Sequence, residues 1–569
     1  MDKPPIATTR RLPFSDLSPA PPADFTGRER ELRALLRGIA SGGVTIIGLR
    51  GMGGIGKTAL ALKLGELLKS QFPDGQIYVS LMGFGGKPLT PVQAQARVIN
   101  SYDLEARIPD DPGAAAGLYR STLSGKRALL LMDNAVDAEQ VKPLIPPAGS
   151  VLIVISHYKF TLPGLHSMDM DALRIEDARA LLLKIAPRIG ALADEIGRLC
   201  GRLALALRAA ASLIAETPRL EIAEYLTQLG DERTRLGNLR AENPELDLQA
   251  SITVSYCLLD PRSQRVLRDL SVFAGPFDRA AALEVCGARE HRQFDGLVQK
   301  SLVEFDAEAA RYHLHDFVRQ LARSRASEQE SEMAARKHAL HFLAVLGECD
   351  RLYQKGGDGV LAGLRLFDLE WTNIQAGQVW SERHSNKDEE AARVCSGYPE
   401  SGRRMLLLRQ HPRDRITWLL PALAAAQKLK DRGMEGAHLG NLGLAYHYLG
   451  RYRLAIELHE QRLAIARETR DRRAEGKALG NLGMAYHSTG EYRRAIEFYE
   501  QDLAIARETR DRQGEGTTLW NLSLALDRIG DRAQAIQRAE AALKIKQEIE
   551  DPGAAKIREQ LAQWTGPSE

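Results

Sequence analysis

The stretch "GLRGMGGIGKTAL", Gly48 to Leu60, decides how the chain is read, because Gly51 to Thr58 matches G-x-x-x-x-G-K-T. The run "VTIIGLR" supplies a strand before it, and Leu60, Leu64, Leu67 and Leu68 mark one face of a helix behind it. The glycines therefore lie where a phosphate-cradling loop needs strand, loop and helix. Such a loop lets backbone N–H groups wrap a β-phosphate at a helix N-terminus. Lys57 is then the cation that reaches the β and γ oxygens, and the Thr58 hydroxyl is a Mg²⁺ ligand. Downstream, "ALLLMDN" ends an apolar strand on Asp133, the position of a carboxylate that holds Mg²⁺ through water. Lys57 and Asp133 are the candidate catalytic residues, and Thr58 and Asp133 the candidate metal ligands.

Around this motif, from Phe25 to about residue 170, "QIYVSL", "ALLLMDN" and "VLIVIS" are short apolar runs bounded by turn residues and alternating with helical patterns. That alternation predicts an α/β domain with a parallel sheet. From about 173 to 400 amphipathic helices dominate, apart from a possible β-wing in "SLVEFDAEAARYHLHD". The polar, glycine-bearing segment Ser381 to Gly402 is expected to be a linker or a poorly formed repeat.

The 569 residues suggest about four domains. Basic and acidic residues, 77 against 74, nearly cancel, which argues against a nucleic-acid or membrane partner for the molecule as a whole. Five scattered cysteines without ligand-spaced histidines argue against disulfides and zinc. No run approaches the roughly 20 apolar residues of a membrane helix, and the proline-rich start lacks an apolar signal core, so a soluble, cytoplasmic protein is expected.

The C-terminal third is a repeat. The 40 residues from Gly440 and the 40 from Gly480 share 28 identities without a gap. A weaker copy starts at Trp520, and "ITWLLPALAAAQKLKDRGMEGAHL" looks like the second half of an earlier one. Gly443, Gly483 and Ser523 allow close helix approach, Gly450, Gly490 and Gly530 fall at the turn, and Ala455, Ala495 and Ala535 are small packing positions. The pattern resembles tetratricopeptide repeats in a 40-residue form, which predicts a curved stack of helix pairs with a concave binding face. Asn441, Asn481 and Asn521, one per repeat near the start of the first helix, are candidate peptide-binding residues, as in repeats similar to kinesin light chains. A helix cap is the bland alternative.

Taken in order, "FTGRERELRAL", "GMGGIGKTAL", "ALLLMDNAVDAEQVKPLIP", "VLIVISHYK", "CGRLALALRAAASLIA", "VSYCLLDPRSQRVLRDLSVFAG" and "YHLHDFVRQLA" resemble an NB-ARC module of the STAND class of signalling NTPases, over about Phe25 to Ala322. Such modules occur in plant immune receptors, apoptosome-forming proteins and bacterial antibiotic-regulatory transcription factors. The resemblance implies a P-loop nucleotide domain, a helical domain and a winged-helix domain folded over ADP as a closed monomer, with exchange to ATP permitting oligomers. It divides the chain into a proline-rich disordered tail (1–24), nucleotide domain (25–172), helical domain (173–246), winged-helix domain (247–325), helical connector (326–400) and tetratricopeptide repeats (401–569).

Carried over residue by residue, it implies Phe25, Thr26 and Arg28 beside adenine, and Gly51, Met52, Gly53, Gly54, Ile55, Gly56, Lys57, Thr58 and Ala59 around the phosphates. Leu203, Ala204 and Leu205 would edge the base, and His315 would touch the ADP β-phosphate and keep the lid shut. Three positions depart from the family. His157 stands where an arginine would read the γ-phosphate unless Lys159 substitutes, Ala204 replaces a proline, and Asn134 replaces an acid. Without that second carboxylate hydrolysis is expected to be slow, at most that of a switch ATPase. The expected function is a nucleotide-controlled switch and scaffold whose repeats sense a protein or peptide partner and which self-associates when activated. The alternative is a transcriptional regulator acting on DNA directly or through a partner. Against it, only 24 residues precede the "FTGRE" box.

Overall fold

The computed structural model describes residues 19–40, 45–81, 88–103, 106, 108–109, 111–237, 244–287, 289–307 and 309–565. Residues 1–18 of the expected disordered tail lie outside the described residues. Two compact units divide the chain, Met1–His341 and Phe342–Glu569.

In the first unit, five strands form a parallel sheet in the order β2 (Gln76–Ser80), β3 (Leu129–Ala135), β4 (Val151–Ser156), β1 (Ile46–Arg50), β5 (Leu165–Asp169). The four strands expected from apolar runs are all present, and β3 and β4 are buried nearly throughout because both faces of the sheet are covered. One face packs Ile77, Leu130, Met132, Leu152 and Val154 against Val98 and Tyr119 of flanking helices. β5 was not expected. Its sequence, LHSMD, has no apolar run, because as an edge strand it leaves most side chains exposed. The helix Lys57–Leu68 buries Leu60, Leu64 and Leu68 completely or nearly so, whereas Leu67 is exposed and falls off the face assigned from the sequence.

Beyond residue 173 the described residues of this unit form helices and one antiparallel hairpin, β6 (Glu304–Asp306) with β7 (Arg311–His313), where the wing was expected. Tyr312 of β7 also bridges to Phe277, Phe277 stacks on both Phe273 and Tyr312, and Phe294 meets the Tyr312 ring edge-on.

Among the described residues, the second unit has helices and no strand. Paired helices Arg432–Tyr448 with Tyr452–Glu468, Arg472–Thr489 with Tyr492–Glu508, and Arg512–Arg528 with Arg532–Glu548 form the repeats, followed by Ala554–Thr565. Each first helix is capped by an aspartate side chain, Asp431, Asp471 or Asp511, that accepts from the N–H three residues on. Gly450, Gly490 and Gly530 turn the chain inside each pair with φ of 71°, 86° and 88°. The segment Ser381–Gly402 is not a linker. It holds the helix Glu389–Ser401, started by the Asp388 cap and buried through Ala391, Ala392, Val394, Cys395 and Tyr398. This helix packs on Pro412–Lys428, which packs in turn on Arg432–Tyr448, so a degenerate pair precedes the recognisable repeats. Among the described residues, no helix is long and apolar enough to cross a membrane.

Candidate functional site

The loop between β1 and the helix Lys57–Leu68 takes backbone conformations that its sequence dictates. Gly51, Gly54 and Gly56 have φ of 144°, 73° and 101°, values that L side chains rarely adopt. The Gly56 carbonyl receives the Leu60 N–H at 3.0 Å, which starts the helix. Lys57 is folded back on this loop, its Nζ donating to the carbonyls of Gly51 (2.8 Å) and Met52 (2.7 Å). Burial lowers the Lys57 pKa to about 8, with Asp133 acting in the opposite direction, so the ammonium remains mostly charged at pH 7.

Asp133, at the carboxyl end of β3, is buried. Its Oδ2 accepts from Thr58 Oγ1 at 3.0 Å and from the Tyr78 hydroxyl at 2.9 Å, and its Oδ1 from the Asn134 N–H at 2.8 Å. Burial raises its pKa, while these hydrogen bonds and Lys57 favour the carboxylate. Asn134 sits at φ 57° where β3 breaks register, a left-handed position that asparagine tolerates better than most residues. Tyr78, from β2, was missed in the sequence because a tyrosine in a strand reads as core.

Three further segments converge on the loop. Arg28, buried and itself at φ 71°, donates through Nη2 to the Ile55 carbonyl (3.1 Å) and the Asp171 carbonyl (2.6 Å). Phe25 and Thr26 are half-buried nearby, their hydrogen bonds local: Phe25 N–H to Pro22 O and Thr26 Oγ1 to Asp24 O. From the helix Ala204–Glu216, the Leu205 N–H donates to the Gly54 carbonyl at 3.0 Å. Leu203 is the cap of that helix, and a methyl added at Gly56 would stand 3.7 Å from Ala204 Cβ. From the helix Asp316–Arg325, the Phe317 ring lies so close to Gly53 that a Cβ there would meet Cε2 at 2.0 Å. Phe317 was also missed, although it stands two residues beyond the singled-out His315. Ala59 lies in the first turn of the helix behind the loop.

His315 is the cap of the helix Asp316–Arg325, its Nδ1 accepting from the Phe317 N–H at 3.3 Å. In the neutral ring this leaves the proton on Nε2. Burial lowers its pKa against the pull of Glu304 and Asp316, with His313 and Lys57 lowering it further. Burial, together with Lys57 and His315, also holds His157 down to about 4, so it is neutral at pH 7 and offers no substitute for an arginine's charge. Lys159 is exposed.

A chain of ion pairs joins the same segments. Asp24 meets Arg208 Nε at 2.8 Å, Arg208 Nη1 lies 3.8 Å from Glu304, and Glu304 Oε2 lies 3.2 Å from His313 Nε2. Burial would raise the Glu304 pKa, but His313 and Arg208 outweigh it and hold the carboxyl well below its usual range.

Asn441, Asn481 and Asn521 lie in the middle of their helices, not near the start, and the caps are the aspartates. The helix period explains the difference. Each asparagine is half-buried in a stripe that also carries Leu444, Met484 or Leu524, the face left open between fully buried positions.

Fold and site together give an α/β domain with a P-loop motif ahead of tetratricopeptide repeats. Family models of the tetratricopeptide repeat match residues 438–473 and 474–548. The regulatory protein AfsR of Streptomyces coelicolor is 34% identical over 393 residues, covering 64% of this chain and 39% of that protein. AfsR of Streptomyces griseus is 36% identical over 342 residues, covering 57% and 35%. A Mycobacterium bovis protein named as an HTH-type transcriptional regulator is 26% identical over 402 residues, covering 66% and 43%. The chain thus spans about two fifths of the length of these relatives. Among solved structures, a STAND protein with a tetratricopeptide repeat sensor from Pyrococcus horikoshii aligns with a TM-score of 0.43 at 16% identity, covering 97% of this chain and 94% of that one.

Proposed function

We propose that this chain is a nucleotide-controlled switch and scaffold, shut around ADP and released by exchange to ATP, with the repeats sensing a protein or peptide. The observation that carries this reading is the convergence of three segments, distant in sequence, on one loop: Arg28 on Ile55, Leu205 on Gly54 and Phe317 on Gly53. A loop that only fed a reaction would gain nothing from being clasped by elements some 150 and 260 residues downstream. A loop whose occupancy sets their position is a switch. The donor set suits the ligand: Lys57 would face the β- and γ-phosphates, Thr58 and Asp133 would hold Mg²⁺, and the Nε2–H of His315 would donate to a phosphate oxygen. Bound Mg²⁺ would neutralise phosphate charge. In this reading the division at residues 172, 246, 325 and 400 marks the moving parts.

Inverting a 1:99 equilibrium needs about 5.5 kcal/mol of differential affinity. Contacts made to a diphosphate only in the shut form, by His315 and the Phe317 cover, are the source of that difference. The test is assembly: mass photometry of the chain with ADP and with a non-hydrolysable ATP analogue plus Mg²⁺. Monomers with ADP and larger species with the analogue are expected, and identical distributions would refute it.

The relatives favour a second reading, regulation of transcription, directly or through a partner. The short lead before the "FTGRE" box carries no weight against it, since the chain spans only part of those relatives. A gel-shift assay with genomic fragments separates the two readings.

A further inference from the structure

Asp133 is shared between two hydroxyls. Its Oδ2 accepts from Thr58 Oγ1 at 3.0 Å and from the Tyr78 hydroxyl at 2.9 Å, while its Oδ1 accepts from the Asn134 N–H at 2.8 Å. The Thr58 bond belongs to the P-loop helix and the Asn134 bond to the adjoining backbone, but Tyr78 comes from another strand. β2 pairs with β3 so that Ser80 stands beside Asp133 and Tyr78 beside Leu131, and the period of two puts Tyr78 and Ser80 on one face. The phenol thus reaches along the sheet to the carboxyl end of β3.

A tyrosine packed in a fold uses its ring for area and needs only some partner for its hydroxyl. Elsewhere in this domain backbone carbonyls serve: Tyr119 donates to the Leu144 carbonyl at 2.7 Å and Tyr102 to the Asp74 carbonyl at 3.0 Å. Tyr78 donates instead to the carboxylate at the P-loop. Burial, the charge and hydrogen bond of Asp133, and the charge of Asp316 all push the phenol well above its ordinary pKa, so the hydroxyl keeps its proton and donates.

An ionised carboxylate offers about four lone-pair sites. Thr58 and Tyr78 occupy both on Oδ2, and the Asn134 N–H takes one on Oδ1. The remaining site, on Oδ1, can receive the hydrogen of a metal-bound water. Aspartate χ2 is a soft, broad torsion, so a side chain tied by Thr58 alone can turn that site away. Thr58 must also offer its own oxygen to the metal, whereas Tyr78 is placed by strand pairing and has no second task. Groups that orient a ligating carboxylate in this way typically govern metal affinity by about 10- to 100-fold.

We propose that Tyr78 is a positioning residue for the nucleotide's Mg²⁺: its hydroxyl fixes the Asp133 carboxylate so that Oδ2 stays with Thr58 and Oδ1 is presented to water on the metal. The proposal rests on the reading of this loop as a nucleotide and Mg²⁺ site and adds to it a residue from a neighbouring strand.

The test loads the full chain with a fluorescent ADP analogue and follows its release by stopped flow as Mg²⁺ is titrated, for the parent, Tyr78→Phe, Asp133→Asn and the double variant. Tyr78→Phe keeps the ring and removes only the hydroxyl. It should raise the Mg²⁺ concentration at half effect by about tenfold or more, while release in EDTA changes by less than about twofold. In the Asp133→Asn background, Tyr78→Phe should change nothing further, because it acts through that carboxylate. A Mg²⁺ midpoint equal to the parent's, an equal change with and without Mg²⁺, or an added effect in the Asp133→Asn chain would each overturn the proposal, the second in favour of plain packing support. A parent chain that takes up no analogue, or whose release ignores Mg²⁺, would sink the nucleotide and metal reading and the proposal with it. A responsive parent beside an unaffected Tyr78→Phe sinks the role of Tyr78 alone.

Discussion

Removing the Phe317 ring should open the cover over the P-loop. Truncating a fully buried phenylalanine to alanine costs about 3–5 kcal/mol, and for a half-buried ring about 2 kcal/mol follows from the area lost. If that contact exists only in the shut form, Phe317→Ala shifts the balance between shut and open forms by roughly 30-fold, at about 1.4 kcal/mol per factor of ten. Gly53→Ala approaches the contact from the other side. Its methyl would stand 2.0 Å from Cε2 and 2.8 Å from Cζ, and Gly53 is not in the left-handed region, so the strain falls on the ring and not on the loop. Release of a fluorescent ADP analogue, followed by stopped flow, should therefore quicken by about 10- to 30-fold in either variant. In the double variant Gly53→Ala should add less than about twofold, because the ring it displaces is already gone. Unchanged release from a folded Phe317→Ala chain, or two effects that simply multiply, would refute the cover.

Four further outcomes follow from the same geometry. Burial pushes His313 down, but the Glu304 hydrogen bond and charge outweigh it, and with Arg319 opposing and Asp306 assisting the net pKa lies above the ordinary 6.5. That clasp is fully present below pH 6.5 and is lost as pH rises through the raised value, so ADP release should quicken on the alkaline side, and His313→Gln should flatten the profile. Asp133→Asn should abolish the Mg²⁺-dependent part of nucleotide affinity, about tenfold or more by calorimetry, with Mg²⁺-free binding little changed. Alanine at Asn441, Asn481 and Asn521 together should eliminate partner capture in a pull-down while leaving the far-ultraviolet circular dichroism and melting curve unaltered. In the repeats, a Cβ at Gly483 would meet the Tyr499 ring at 2.5 Å, so Gly483→Ser should cost about 1–3 kcal/mol in thermal unfolding, much of it recovered by adding Tyr499→Ala.

The last pair shows how far the sequence could be read. The column Gly443, Gly483, Ser523 was visible as a small-residue position, and what it faces sixteen residues later is His459, Tyr499 and Ala539. Rings stand opposite the two glycines, and the serine is matched to an alanine, both buried. The repeat showed the column, but only packing shows that each pair shares one volume. The P-loop was equally legible, because Gly51, Gly54 and Gly56 answer to local backbone geometry that the motif's spacing displays. What escaped was tertiary: β5, whose edge position erases the apolar pattern, and Tyr78 and Phe317, which read as ordinary aromatics until the fold brings them to Asp133 and Gly53. The asparagines recur as a polar position but lie further along the helix than the sequence suggested, because the Asp431, Asp471 and Asp511 caps that fix its start lie ten residues earlier.

The central claim, that a bound purine diphosphate holds the P-loop clasp shut, is tested most directly by denaturing freshly purified chain and identifying the released nucleotide by chromatography. ADP close to one equivalent per chain is the outcome this account requires. Protein that releases no adenine nucleotide, and gives no calorimetric heat with ADP or ATP, would contradict it.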